Sequence, residues 1–240
     1  MYHNKTLWVI GAGSDIALAF LKSYAPRFEK VVLASNHTNR IQVLSKKHHI
    51  NNAQILKLDL CSSKSIYTFV HSAPAPDYVV CFSGHLIYNA DEENVSPQNI
   101  SKTFAINATG VITLLENAIP RMKSGGSIIV LTSCAGVRGK ASNRVYSASK
   151  AAMSTYLQGL SQKCNNICII DLKLGRVRTK MLKKSPRKTN FFSMSSKKCA
   201  DLIFELLGAD ESIVYYQPSW HAPILLFNAI PKRLYDKFRF

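Results

Sequence analysis

Ser133, Tyr146 and Lys150 are of types and at spacings suited to moving a proton. Tyr146 and Lys150 stand four residues apart in Tyr146-Ser147-Ala148-Ser149-Lys150, and on a helix that spacing puts phenol and ammonium on one face. An isolated tyrosine titrates near ~10 and is a poor base at neutral pH. A neighbouring ammonium favours the phenolate and lowers that value. Such a phenol can exchange a proton with a carbonyl or alcohol oxygen while Ser133, thirteen residues earlier, hydrogen-bonds the same atom. Proton transfer of this kind contributes ~10²–10⁴-fold in rate. Asn107, on an earlier helical stretch, can anchor a water that relays protons to Lys150. A tyrosine and lysine at this spacing arise by accident on many helices, so the weight comes from what precedes them.

What precedes them is a phosphate loop. The first apolar run ends in Val9-Ile10-Gly11-Ala12-Gly13-Ser14-Asp15-Ile16-Ala17, and a helical pattern follows at once. Gly11 can turn the chain tightly, and Gly13 leaves room for a pyrophosphate beside bare backbone. The helix N-terminus beyond them offers free N–H groups to an anion. Glycines also end strands for purely structural reasons, but this position between first strand and first helix is the context a dinucleotide site requires. The second run ends at Ala34-Ser35-Asn36-His37, with Arg40 one turn on. An NAD site commonly has an acid here for the ribose hydroxyl. None is present, and Asn36 and Arg40 can accommodate a 2′-phosphate, which favours NADP(H); Asn can also bond a hydroxyl, so NAD(H) stays admissible. Asp59, after the third run, can bond the adenine amine or cap a helix over Ser62–Val70. Lys150 can also hold the nicotinamide ribose.

The elements that must position these groups are legible as short apolar runs: Thr6–Ile10, Val31–Ala34, Gln54–Leu58, Tyr78–Phe82, Ser127–Thr132, Ile167–Leu172 and Ser212–Tyr216. Most are continuously apolar rather than alternating, the mark of a sheet covered on both faces. Helical periods lie between them: Ile16, Ala17, Phe20, Leu21 and Tyr24 up to Pro26; Ile41 and Leu44 up to Lys46-Lys47; Val111, Leu114, Leu115 and Ala118 up to Pro120. Strands alternating with helices predict an α/β fold, a doubly wound, seven-stranded parallel sheet with helices on both faces. Its ligand belongs outside the carboxyl ends of the strands.

Composition narrows the class. The chain has 240 residues, 47 % hydrophobic and 19 % charged, enough to hold an ordinary core and too apolar for disorder. No apolar run approaches the ~20 residues of a spanning helix, and Met1-Tyr2-His3-Asn4-Lys5 lacks the shape of a signal peptide. These features predict a cytoplasmic domain, with the inner face of the membrane as a further location. The six cysteines are scattered without a CxxC pair, which predicts reduced, mostly buried thiols; His48-His49 reads as a solvated pair at a helix end, and no metal site is expected. The net charge is +17, and from Leu172 to Ala200 ten Lys or Arg stand without an acid. That stretch invites an anionic partner or is simply a solvated loop near a phosphate cleft. It lacks the basic–aromatic interleaving of a stacking platform, so nucleic acid is not expected as a partner.

On these residues the chain resembles the short-chain dehydrogenase/reductase family over nearly its whole length. The resemblance implies one Rossmann-type domain over residues 1–240. It maps the family's Asn-Ser-Tyr-Lys tetrad onto Asn107, Ser133, Tyr146 and Lys150. It places cofactor contacts at Gly11, Gly13, Ser14, Asp15, Ile16, Asn36, Arg40, Asp59, Leu60, Ser83, Gly84, Tyr146, Lys150, Gly175, Val177 and Thr179. The match is imperfect. Ile10, Asp15 and Ala17 stand where Thr, Gly and Gly are usual, the NNAG motif has become Cys81-Phe82-Ser83-Gly84, and PGxVxT has become Leu174-Gly175-Arg176-Val177-Arg178-Thr179. The activity implied is NAD(P)H-dependent reduction of a ketone or oxidation of a secondary alcohol, in a homo-dimer or tetramer built partly on the helices of Asn107 and Tyr146. The altered glycine loop also admits a catalytically silent dinucleotide-binding redox sensor, although a sensor has no need of Tyr146.

A narrower similarity, in Arg176 to Met181 and Ile230 to Tyr235, is to the decaprenylphosphoryl-2-keto-ribose reductases. It implies a ketosugar carried on a polyprenyl phosphate, in envelope glycan synthesis. Two segments bear on that substrate. Residues 175–200, with Phe191-Phe192-Ser193-Met194, read as a basic substrate lid or as a surface loop. Residues 219–240 read as an amphipathic tail: as a helix it stacks Ile230, Leu234 and Phe238 on one side, suited to an anionic membrane interface or to packing on its own domain or a second subunit.

Overall fold

The computed structural model describes residues 2–87, 95–139, 141–183, 193–209, 213–215, 226 and 229–235. Six strands in chain order, β1 (Thr6–Ile10), β2 (Lys30–Ser35), β3 (Ala53–Lys57), β4 (Tyr78–Cys81), β5 (Ser127–Leu131) and β6 (Cys168–Lys173), coincide with the apolar runs to within a residue or two. Two short strands, β7 (Val177–Arg178) and β8 (Met194–Ser195), pair with each other, and β9 (Ile213–Tyr215) closes the main sheet. That sheet has seven strands in the order β3-β2-β1-β4-β5-β6-β9, every pairing parallel. The expected doubly wound architecture is therefore the one observed.

The helices cover both faces. α1 (Asp15–Tyr24), α2 (Thr38–Lys47) and α8 (Ser196–Leu206) flank one; α3 (Ser63–Ser72), α4 (Pro97–Phe104), α5 (Gly110–Ala118) and α6 (Arg144–Lys163) the other; α7 (Lys180–Lys183) and α9 (Lys232–Tyr235) are single turns. Alternation along β1 splits the core: Leu7 and Val9 join the cluster with Phe20, Leu21 and Ile203, and Trp8 and Ile10 the cluster with Phe69, Leu114 and Met153. Trp8 is fully buried, and its indole N–H donates to the carbonyl of Pro74 at 2.9 Å, so burial leaves no orphaned donor. α1 starts where the Ser14 hydroxyl accepts from the Ala17 amide, and it stops before Pro26, which cannot continue a helix. Asp77 pins the edge opposite the site: its carboxylate accepts from the Thr6 amide and pairs with Lys5 and Lys123.

Helix ends differ from the sequence expectation in two places. The helix predicted over Ser62–Val70 runs Ser63–Ser72 and is capped by Ser62, whose hydroxyl accepts from the Ser65 amide; Asp59 does not cap it. Between α4 and α5 the chain takes a π-helical turn over Ala105–Thr109, which displaces Asn107 from the regular helical register. Of the six cysteines, all free, only Cys81 and Cys199 are fully buried and Cys61 is exposed, so the thiols are less buried than composition suggested. His48 does end α2, with His49 in the left-handed region.

Candidate active site

The carboxyl ends of β1, β4, β5 and β6 meet at one edge of the sheet, and the predicted residues gather there. Gly11 has φ +77°, and a Cβ on it would stand 2.8 Å from the Ser83 backbone nitrogen. Only glycine satisfies both the conformation and the close approach. Gly13 is small for a second reason beyond ligand access, since a Cβ there would press on Ile41 of α2 at 3.3 Å. Asp15, where the family pattern has glycine, opens α1, a favourable place for an anion. Its carboxylate accepts from the Lys180 amide at 2.6 Å, which ties the loop after β1 to the start of α7.

Beyond β2, an open cleft of about 460 Å³ is lined by Asn36, His37, Thr38, Asn39 and Arg40. It lies at the N-terminus of α2, where helix amides favour an anion and no side chain caps them. Asn36 donates to Asp59 at 3.4 Å, and Asp59 also accepts from the Cys61 amide. Leu60 packs its carbonyl against Gly110, 2.2 Å from where a Cβ would be. Ser83 carries a buried hydroxyl with no partner, and Gly84 has ordinary space. On the far side, Gly175 is exposed, Val177 is buried in β7, and the Thr179 hydroxyl accepts from the Leu182 amide at 3.3 Å, capping α7. An orphaned hydroxyl at Ser83, a bare backbone at Gly11 and an anion-ready cleft at Arg40 are what a dinucleotide requires, so these residues fit one.

The tetrad is assembled across three elements. Ser133, just past β5, stands beside the Tyr146 phenol; its hydroxyl donates to the Leu174 carbonyl at 3.4 Å and accepts from the Ala135 amide at 3.1 Å. Lys150, 3 % exposed, donates to the Leu131 carbonyl at 2.8 Å and lies 6.0 Å from the centre of the Tyr146 ring. Asn107 is spent on bracing: its carbonyl accepts from the His85 amide at 2.7 Å, and its amide donates to the His85 carbonyl at 2.8 Å and to Ser149 at 3.0 Å. Ser149 in turn donates to the Tyr146 carbonyl. Ser149 and His85 were not among the predicted site residues; Ser149 lies inside the Tyr–Lys motif, and its small polar side chain one turn from Tyr146 was the available signal.

The acidic phenol anticipated from the Tyr–Lys spacing is not found. Burial pushes the Tyr146 phenol up, Ser133 opposes this and Cys134 adds to it, while the Lys150 ammonium is turned to the Leu131 carbonyl. The phenol is thus in its protonated, donating form at neutral pH. Burial also pushes Lys150 down to about 8, against the pull of Asp171 and Cys81. Near the end of the basic stretch, Ser193 and Met194 are buried, with Met194 in β8 and the core, so this end of the supposed lid is anchored; Phe191 and Phe192 lie outside the described residues. One of its ten cations, Lys173, is buried rather than surface charge.

Residues 5–190 match the short chain dehydrogenase family. The chain belongs to that family. Its chemistry is accordingly oxidation–reduction with a nicotinamide dinucleotide. The chain is 26 % identical to an 11-beta-hydroxysteroid dehydrogenase-like protein of Arabidopsis thaliana, with 97 % of this chain and 80 % of the relative covered. It is 25 % identical to an uncharacterized oxidoreductase of Staphylococcus aureus, over 67 % of this chain and 71 % of that one. Among solved structures, a short chain dehydrogenase from Burkholderia cenocepacia in complex with NADP superposes with TM-score 0.84 at 17 % identity, covering 99 % of this chain and 98 % of the other. BdcA in complex with NADPH gives TM-score 0.77 at 18 % identity, over 89 % and 93 %. At these identities the solved structures speak for the fold.

Proposed function

We propose that the chain is an NADP(H)-dependent carbonyl reductase. The observation that carries this is the gathering of a buried Tyr146 phenol, Ser133 beside it and a buried Lys150 6.0 Å from the tyrosine ring at the sheet edge where the glycine loop opens. Tyr146 gives its proton to the carbonyl oxygen while Ser133 donates a second hydrogen bond to that atom. Lys150 supports the phenolate left behind, the form an ammonium favours. Asn107 acts through the loop at His85 and through α6; its amide hydrogens are occupied, so a relay water has only the second lone pair of its carbonyl oxygen. The nicotinamide, when bound, supplies the hydride. Gly11, Gly13, Ser14, Asp15 and Ile16 would hold the pyrophosphate at the head of α1. Asn36 and Arg40 would take the 2′-phosphate, Asp59 and Leu60 the adenine side, and Ser83, Gly84, Gly175, Val177 and Thr179 the nicotinamide side. The absence of an acid after β2 and the complexes that the two solved relatives form with NADP and NADPH support NADP(H) over NAD(H).

The finer substrate reading is a ketosugar on a polyprenyl phosphate. Arg176, Arg178 and Lys180 around β7 support it by offering cations beside the site. A dimer or tetramer built partly on the helical stretch that carries Asn107, between α4 and α5, and on α6, which carries Tyr146, belongs to the same proposal, and so does location in the cytoplasm, with the inner membrane face as a further location.

The test is a fluorescence titration with NADPH and NADH, followed by turnover on a panel of ketones that includes phosphate-linked ketosugars. NADPH binding tighter than NADH, with ketone-dependent NADPH oxidation lost in Tyr146→Phe, is the expected result. Binding without turnover on any ketone would favour the silent sensor.

A further inference from the structure

Two charged side chains stand inside β6, Asp171 within the apolar run expected over Ile167–Leu172 and Lys173 just past it. Asp171 and Lys173 occupy the same face of β6 and are 1 % and 4 % exposed. The Lys173 ammonium donates to Asp171 Oδ2 at 2.5 Å and to the Ser154 hydroxyl at 2.6 Å, and the Thr132 hydroxyl donates to Asp171 Oδ1. The proton transfer described above uses none of them. A buried ion pair recovers its desolvation cost poorly, so stability alone is a weak reason for this one.

Its partners point to another reason. Thr132 lies between Leu131, whose carbonyl accepts from Lys150, and Ser133 of the tetrad, which stands beside the phenol. Ser154 lies one turn of α6 beyond Lys150. The bonds therefore run from Lys150 to the end of β5, across Thr132 to Asp171, and through Lys173 back to α6. We propose that Asp171 is a positioning residue for the tetrad: its carboxylate, gripped by Thr132 and Lys173, holds the end of β5 against α6 and serves as counter-charge to the buried ammonium of Lys150. This rests on the catalytic reading of Lys150 and Tyr146 for its meaning.

The surroundings of Lys150 leave this role to Asp171. Cys81 on β4 also faces the ammonium, but burial pushes its thiol up to about 12, so it carries no charge near neutrality. Tyr146 on the same helix is protonated, as is the raised phenol's neighbour Ser133, and Asn107 on the π-helical turn is uncharged. Lys102 on α4 is exposed and its field falls on His85. Lys173 is the competing cation.

Lys150 can be read directly in the full chain, with lysines carbon-13 labelled at the ε position and its resonance assigned by its disappearance in Lys150→Arg. In the unmodified protein its midpoint is expected near 8. Asp171→Asn removes the counter-charge and should lower the midpoint by about one unit or more. Lys173→Met removes the competing cation, leaves the carboxylate, and should raise it. Loss of packing alone would move both variants the same way. A fall in Asp171→Asn without a fall in Lys173→Met supports the proposal, and any other pattern overturns it. Should circular dichroism show Asp171→Asn unfolded, Lys173→Met decides: a rise supports, and no change or a fall overturns. This outcome is independent of the turnover test, because Lys150 can titrate in this way in a protein that reduces no ketone.

Discussion

In the proposed reaction the Tyr146 hydroxyl is the atom on which the chemistry turns, and burial, by raising its phenol, makes it a proton donor rather than a ready base. Tyr146→Phe removes the proton and little else, since the ring and its packing remain. Turnover on a working ketone should fall ~10²–10⁴-fold with NADPH affinity unchanged; an equal loss of affinity in the titration would mean that the variant disturbs the cleft. Gly11 offers a test at the same scale on the cofactor side. Gly11→Ala must hold φ +77° with a Cβ pressed on the backbone of Ser83, so it should lose ~1–3 kcal/mol in urea unfolding together with most NADPH binding. Gly175→Ala, exposed and with open space around its Cβ position, should stay within about 0.5 kcal/mol. If the two alanines behave alike, the close approach at Gly11 is not what holds the loop. The residues that sequence made visible here, Tyr146, Lys150 and the loop glycines, are those whose spacing along one element or turn carries the message, with Ser133 read from its distance ahead of them. Asp171, Lys173 and Ser149 escaped because the partners that tie them to the site, Thr132, Ser154 and Asn107, sit on other elements, and contacts between elements leave no periodic trace. The two charges inside the run Ile167–Leu172 and just past it were the one local sign, since a strand covered on both faces has no cheap place for them.

At the scale of elements, the main sheet was legible because each strand is an apolar run that only burial on both faces explains, and because the helices between keep a 3.6-residue period. Two kinds of element were not. β7 and β8 are two residues each, too short for any pattern, and exist because Val177 and Met194 are buried side by side. The π-helical turn at Asn107 needs one extra residue per turn, which sequence does not announce. Asp77 shows how an element end can be fixed by charge. Burial alone would raise its carboxyl, but the Thr6 amide, Lys5 and Lys123 together outweigh it and hold the group below its ordinary value. A depressed carboxyl stabilises the fold fully above its unfolded value of ~3.9, and that contribution is lost as pH falls through the folded value. Wild-type stability should therefore drop below about pH 4 more steeply than that of Asp77→Asn, which lacks the group. Parallel curves in acid urea titrations would show that Asp77 contributes nothing through its charge.

At the scale of the whole molecule, the net charge of +17 and the C-terminal segment raise one question, what the basic surface meets. Among the described residues of the tail, Leu226 and Ala229 are helical, the chain bends at Ile230, and a helical turn spans Lys232–Tyr235; Phe238, with which Ile230 and Leu234 would stack in one continuous helix, lies outside the described residues. That turn is attached to its own domain: the Tyr235 hydroxyl donates to the Gly139 carbonyl at 2.6 Å, and the Arg138 guanidinium lies 3.8 Å from the centre of the Tyr235 ring. Gly139 belongs to the loop that leads from Ser133 to Tyr146, so the tail leans on the wall of the site. Leu226 and Leu234 are exposed by 70 % and 51 %, and Arg233, next to Leu234 in the chain, is exposed as well. An exposed leucine next to an exposed arginine, on a chain of net charge +17, is a composition suited to an anionic membrane contact, which is the proposal to test. Sedimentation with vesicles should then bring the full chain down with anionic but not zwitterionic lipid. The binding should weaken as salt screens the cations and fall in Leu226→Ser/Leu234→Ser, whose fold and NADPH affinity are expected to be intact. Tyr235→Phe, which keeps the ring over Arg138 and loses only the bond to Gly139, separates the docking of the tail from its surface chemistry: it should change ketone turnover while leaving vesicle binding in place. If the folded full chain ignores anionic vesicles, the outward leucines belong to a subunit contact instead, and the double serine variant should then lower the sedimenting mass of the free protein.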